Sequence, residues 1–160
     1  MAVTLRLARA TDAEDIVQLT KQLGYDLTMA DAVERVRRIV ARDSEQFLIA
    51  EVGGCSVAWV HAALVEYVES EPFVIIGGLV VDKAHRRQGI ASTLMERVEE
   101  WAKLRGSRVI RLSSSSTRTG AHAFYEGLGY ENVKTQYAFV KLLDGVGEGS
   151  IKRFVPRIDE

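Results

Sequence analysis

Residues Val80–Leu94 read VVDKAHRRQGIASTL: an apolar strand ending, two adjacent arginines, a lone glycine, then a helix-forming run. A helix N-terminus already presents unpaired backbone N–H groups and about half a positive charge. Arg86 and Arg87 at its mouth are therefore unfavourable unless something negative sits among them. The amides of Arg87, Gln88, Gly89, Ile90, Ala91 and Ser92 form a strand-to-helix turn that can converge on an anion, and Gly89 permits close backbone approach. The arginines add forked, charge-assisted donors suited to phosphate oxygens. The turn reads as a diphosphate cradle, and the competing reading is a solvated arginine-rich turn before an amphipathic helix. Neither Gly-x-x-x-x-Gly-Lys-Ser/Thr nor Gly-x-Gly-x-x-Gly occurs, so triphosphate and dinucleotide loops are not supported.

Outward from this stretch, the apolar spacing of Ile90, Leu94, Val98 and Trp101 predicts a long helix ending near Gly106. Three strand signals precede it: residues 46–52, 56–68 and 72–81, with turns expected at Gly53-Gly54 and near Ser70-Glu71-Pro72. Such short turns imply antiparallel pairing. Nearer the N-terminus, Val3, Leu5 and Leu7 alternate as a strand, and Thr11 with Glu14 suggests a capping box for a helix through Leu23, ended by Gly24. Thr28 opens a second helix with an apolar stripe of Ala32, Val33, Val36, Ile39 and Val40. After the long helix come a strand over 108–113, a short helix over 119–129 and a last alternating strand over 134–143. The order β, α, α, β, β, β, α, β, α, β predicts an α/β (α+β mixed) sheet, mostly antiparallel, with one βαβ crossover and flanking helices.

A chain of 160 residues fits one ordinary domain with a real core. We take residues 1–143 as that domain and 144–160, glycine-rich then basic and apolar, as a tail that wanders or docks on its own or another subunit. With 21 basic and 22 acidic side chains the net charge is -1, so no global field recruits nucleic acid or anionic membrane. Arg35, Arg37, Arg38 and Arg42 alternate with acids and lack interleaved aromatics, which argues against nucleic-acid binding. The single cysteine, Cys55, excludes an internal disulfide and lacks the companions of a zinc site; no metal is expected. No apolar run approaches the ~18 residues of a membrane span, and the N-terminus lacks a signal-peptide core, so the expected compartment is the cytoplasm.

Two blocks carry a family resemblance. LVVDKAHRRQGIA resembles the acetyl-CoA-binding signature of the GNAT N-acetyltransferase superfamily, Arg/Gln-x-x-Gly-x-Gly/Ala, through Arg86, Gly89 and Ala91 after the strand Leu79-Val80-Val81. AHAFYEGLGYE resembles the family's Ala-x-x-x-Tyr-Glu-x-x-Gly-Phe/Tyr block through Ala121, Tyr125, Glu126, Gly129 and Tyr130. The resemblance spans Val3 to Leu143. It implies the GNAT acyl-CoA N-acyltransferase fold and transfer of an acetyl group from acetyl-CoA to a primary amine of a small molecule or a protein, by direct attack in a ternary complex. The alternative is a non-catalytic acyl-CoA sensor or interaction module of the same fold.

By the same resemblance, the backbone from Arg87 to Ser92 holds the CoA pyrophosphate, with Arg86 or Arg87 near its phosphates. Leu79, Val80 and Val81 pair with the pantetheine amides as an added strand would. A bulge that splays this strand is expected at Gly77-Gly78. Tyr125 donates a proton to the leaving thiolate, and an amide of Leu79 or Val80 stabilises the oxyanion; the plain alternative for Tyr125 is a core aromatic beside Phe124. Many members carry a glutamate on the strand before the signature, but Phe73–Gly77 holds no acid. Candidate bases are Glu66, Glu69, Glu71 and His61, or a water chain. Arg118 stands where the family often has asparagine and contacts CoA phosphate, a substrate carboxylate or solvent; Lys83 stands where it often has proline; His122 reads as structural. Tyr25, Tyr67 and Tyr137, with Glu66 and Glu69, are the candidate acceptor contacts. A homodimer is the family-based expectation.

Overall fold

The computed structural model describes residues 2–143; the tail expected over 144–160 lies outside the described residues. The chain divides into two compact units, Met1–Leu112 and Ser113–Glu160. In the first unit the elements run β1 (Val3–Leu7), α1 (Ala13–Lys21), α2 (Met29–Val40), β2 (Glu45–Val52), β3 (Cys55–Tyr67), β4 (Ser70–Val81), α3 (Ile90–Leu104) and β5 (Ile110–Arg111). The five strands form one sheet in the order β1-β2-β3-β4-β5. The first three pairings are antiparallel, and β4 pairs β5 in parallel through the α3 crossover. The mixed, mostly antiparallel sheet expected from the sequence is therefore present.

Alternation puts core on both faces of the sheet. Phe47, Ile49, Trp59 and Val80 join Ile16 and Leu19 of α1 and Val36 of α2 in one apolar cluster. The intervening residues Leu48, Ala50, Ala58, Val60 and Ala62 are equally buried, and α3, which touches β2, β3 and β4, contributes the fully buried Leu94, Met95 and Val98. Each such aliphatic side chain contributes about 1.5–3 kcal/mol by burial.

Local starts and stops differ in places from the sequence reading. Thr28 caps α2 as expected, its hydroxyl accepting from the Asp31 amide at 3.1 Å. At α1 the N-cap position falls on Asp12, not Thr11, and its side chain bonds no α1 amide. Its carboxylate accepts from the Arg9 amide at 2.7 Å and from both terminal nitrogens of Arg6 at 2.8 Å, after a 3-10 turn over Ala10–Asp12. A forked guanidinium and an amide engage that carboxylate on the side of Arg6 and Arg9 instead. α1 also stops at Lys21 rather than Leu23.

The β3–β4 hairpin turns at Val68-Glu69, because Tyr67 already pairs Ser70. Pro72 then falls at the register shift between Val65 and Tyr67, where a residue without N–H removes no ladder bond. The strand expected over 108–113 shrinks to two residues, and none forms over 134–143, where most side chains are exposed. Alternation supplies an amphipathic ribbon, but a strand exists only where a neighbour completes its ladder.

The second unit contains α4 (Thr119–Gly127), which ends in a Schellman closure. Tyr130 N–H donates to the Tyr125 carbonyl and Gly129 N–H to that of Glu126, both at 3.0 Å, with Gly129 at φ 91°.

Candidate active site

The β4 ladder breaks where the sequence places two glycines. His61 pairs Gly78 while Ala62 pairs Ile76, so Gly77 is an unpaired extra residue in β4. On the opposite edge β5 pairs only Val74 and Ile75. Among the described residues, the β4 edge from Ile76 to Val81 has no strand beside it. The bulge thus ends the parallel pairing and leaves β4 open beyond it, with the backbone groups of Leu79 and Val81 turned to the free side and those of Val80 turned to Trp59 of β3.

That edge runs directly into the arginine turn. Asp82 anchors it: its amide donates to the Val57 carbonyl at 2.8 Å, and its carboxylate accepts from the Ala84 amide at 3.0 Å and from His85 Nδ1 at 3.1 Å. Gln22, just past the end of α1, clamps the same turn from outside. Its Nε2 donates to Asp82 Oδ1 at 2.8 Å, and the Lys83 amide donates to its Oε1 at 3.0 Å. Together the Gln22 and His85 bonds hold the Asp82 carboxyl below the ordinary carboxylate range.

After a 3-10 turn over Lys83–His85, Arg86 is extended and donates from Nε to the Val81 carbonyl at 3.1 Å. Arg87 follows with φ 60°, the only non-glycine among the described residues in the left-handed region. Such a conformation costs an L-residue roughly 1–2 kcal/mol. Gly89 caps α3 at φ 79° and offers no side chain to its amides. The N–H groups of Ile90, Ala91 and Ser92 therefore reach the helix end without a capping side chain, beneath two exposed arginines. Uncapped amides, a positive helix end and forked cations are the features that favour an anion.

The remaining candidate residues fall in different places. His61 lies against the bulge: a Cβ added at Gly77 would stand 3.0 Å from its Nδ1. Burial pushes its pKa down, Glu45 pulls against that, and Arg42 adds to the fall. Glu66 and Glu69 are exposed near the β3–β4 turn. The turn lies seven residues along β4 from Gly77, roughly 23 Å of strand. Glu71 pairs with Arg108 at 3.0 Å. Tyr67 packs edge-on against Phe73 at 5.0 Å, and Tyr25 is partly exposed between α1 and α2.

In the second unit, Tyr125 is half-buried between Phe124 and Tyr130, with ring centroids at 5.1 and 5.9 Å. His122 donates from Nε2 to the Ser115 carbonyl at 2.8 Å, in keeping with its structural reading. Arg118 stands at the start of α4, and Tyr137 is almost fully exposed. Sequence reasoning passed over Gln22 and Glu45, because neither sits in a motif; only folding brings them to the turn and to His61. Cys55 is exposed, and no group of three or more metal-ligating side chains occurs among the described residues. No helix among them is long and apolar enough to cross a membrane.

The open β4 edge, its bulge and the uncapped α3 turn coincide with the segment that a family model covers, that of the acetyltransferase (GNAT) family, over residues 13–130. The chain belongs to the GNAT acetyltransferase family. Among characterised relatives, an aminoglycoside N(6')-acetyltransferase type 1 of Acinetobacter haemolyticus is 25% identical over 89% of this chain and 100% of its own length. An uncharacterized N-acetyltransferase of Methanocaldococcus jannaschii is 28% identical over 66% of this chain, which spans 47% of that longer protein. A solved structure of AAC(6')-Iy, in complex with the bisubstrate analog CoA-S-monomethyl-acetylneamine, superposes with a TM-score of 0.80. It is 23% identical and covers 89% of this chain and 99% of its own, so the GNAT fold is shared.

Proposed function

We propose that this GNAT protein is an acetyl-CoA-dependent N-acetyltransferase that moves the acetyl group to a primary amine of a small molecule, by direct attack within a ternary complex. The observation that carries this reading is the continuity of the site. An unpaired β4 edge leads through the turn over residues 82–89 to helix amides that no side chain caps. The edge suits an extended chain of amides, and the amides suit a diphosphate at its far end. Acetyl-CoA is such a molecule.

Each part has a role. The amides of Arg87 to Ser92, with Arg86 and Arg87 at the rim, bind the pyrophosphate. Leu79 and Val81 pair with pantetheine and place the thioester at the bulge. There the amide of Leu79 takes up the negative charge that develops on the carbonyl oxygen; of the two amides the sequence offered, that of Val80 faces Trp59 in the ladder. Tyr125, by its position in the family block, protonates the departing sulfur. Arg118 is available for a phosphate or a substrate carboxylate. Relatives named as aminoglycoside N(6')-acetyltransferases support a polyamine-like acceptor, so aminoglycosides are the first class to test.

Calorimetric titration with acetyl-CoA, followed by thiol release across aminoglycosides, polyamines and amino-acid amides, tests the reading. Tight acetyl-CoA binding with amine-dependent thiol release is expected. A folded protein with no affinity for coenzyme A or its thioesters would overturn the proposal, and binding without thiol release for any amine would make the chain a sensor instead.

A further inference from the structure

His61 shares the sheet face of Phe47 and Trp59 and stands at the end of the apolar cluster, where Gly77 and Gly78 of β4 carry no side chain to cover it. In register it pairs Gly78, and the skipped Gly77 puts backbone, not a side chain, beside the ring. The other ring nitrogen is enclosed. Nε2 is buried and makes no hydrogen bond, and Oε1 of Glu45 lies 3.7 Å from it. Glu45 itself is mostly buried and shares its second oxygen with Arg42 at 3.4 Å. Phe47, one strand over, holds the ring in place at 5.7 Å between centroids.

A buried N–H left without a partner costs about 1–3 kcal/mol. Here the cost is recovered when the ring becomes charged, because an imidazolium faces a carboxylate across that short gap. A neutral ring with its proton on Nε2, toward Glu45, keeps its lone pair on Nδ1, toward Gly77 and the thioester slot. We propose, resting on the acetyltransferase reading above, that His61 is the catalytic base that takes the acceptor ammonium proton and that Glu45 is the positioning residue that orients it.

The step balances. An ammonium N–H bond breaks and its proton moves to Nδ1; the freed lone pair forms the N–C bond to the acetyl carbonyl as the C–S bond breaks. The sulfur takes the proton of Tyr125, the second amine proton restores that phenol, and His61 releases the first to solvent. Burial keeps the ring neutral near pH 7 and so able to accept; the charged groups acting on it are Glu45 and Arg42. On β4, Ile75 to Val81 contribute no titratable side chain.

The test uses the full chain, with acetyl-CoA and an accepted amine from the panel. His61→Gln should lower kcat by roughly 100-fold, as loss of a general base does, with acetyl-CoA affinity unchanged. An aminooxy acceptor, already unprotonated at neutral pH, should lose far less. Glu45→Gln removes the group that raises the His61 pKa, so the acid limb of the kcat/KM profile should move to lower pH, a shift that a merely structural role does not produce. Undiminished turnover and an unmoved acid limb in His61→Gln, with an active wild type, would overturn the dyad while leaving the acetyltransferase reading intact. A wild type that turns over no amine would remove both. If His61→Gln fails to fold, the Glu45→Gln limb decides alone.

Discussion

A Cβ built on Gly78 would lie 2.7 Å from Cη2 of Trp59, closer than side-chain carbons approach one another. The neighbouring Gly77 would meet only the edge of the His61 ring, at 3.0 Å. Both glycines therefore answer to the ring across from them, and the two rings differ in freedom. Trp59 is locked edge-on to Phe47 at 5.4 Å within the α1/α2 cluster, whereas His61 is part exposed. Gly78→Ala should cost about 1–3 kcal/mol by overpacking, and Gly77→Ala clearly less. Denaturant melts of the two variants compare them directly, and equal losses would show that Trp59 can yield.

Gln22 joins the end of α1 to the turn that precedes the cradle. Gln22→Ala deletes one bond to Asp82 and one to the Lys83 amide, worth on the order of 1 kcal/mol each. Its expected effect is a several-fold weaker acetyl-CoA affinity with a modest loss in Tm. Titration calorimetry reads the first and a thermal melt the second; an unchanged Kd would reduce Gln22 to a packing contact.

Tyr125→Phe keeps the ring that packs between Phe124 and Tyr130 and removes only the hydroxyl. Turnover should fall by about 100-fold, within the usual range for a lost general acid, while acetyl-CoA binding stays near wild type. Steady-state kinetics beside a binding titration separates the two, and wild-type turnover would take Tyr125 out of the mechanism.

The Arg6–Asp12 pair makes stability depend on acid. The forked bond from Arg6 lowers the Asp12 carboxyl below its ordinary value of 3.8. A carboxyl whose pKa is lower folded than unfolded contributes stability that is fully present above the unfolded value. That contribution drains away as pH falls from there through the folded value. Urea melts from pH 6 downward should show wild type losing stability below about pH 4. Asp12→Asn should start less stable and lose less over that range; parallel curves would remove Asp12 as the source.

Much of the fold was legible because its signals are local. Thr28 as a cap, the 3.6-residue spacing from Ile90 to Trp101 and the alternation of β2 to β4 each lie within a few residues of what they specify. So does the bulge, since a Gly-Gly pair inside a strand marks one. Local signals also misled where a distant partner competed. Thr11 and Glu14 have the spacing of a capping box, yet Arg6 and Arg9 recruit Asp12 instead. Residues 134–143 alternate well, yet no strand forms there among the described residues.

By itself the sequence determined the family and the order of elements through α4, and it singled out the turn from Arg86 to Ser92, because that reading needs only consecutive residues. Only the tertiary structure decided how β4 parts from β5 after Ile75, which side chain anchors the turn from α1, and which acid–base group stands beside the bulge. Those are pairings across 60, 36 and 16 positions of chain (Gln22 to Asp82, Ile75 to Arg111, Glu45 to His61). Spacing along a strand or helix cannot encode them, because they arise only when the sheet closes and brings distant backbone into register.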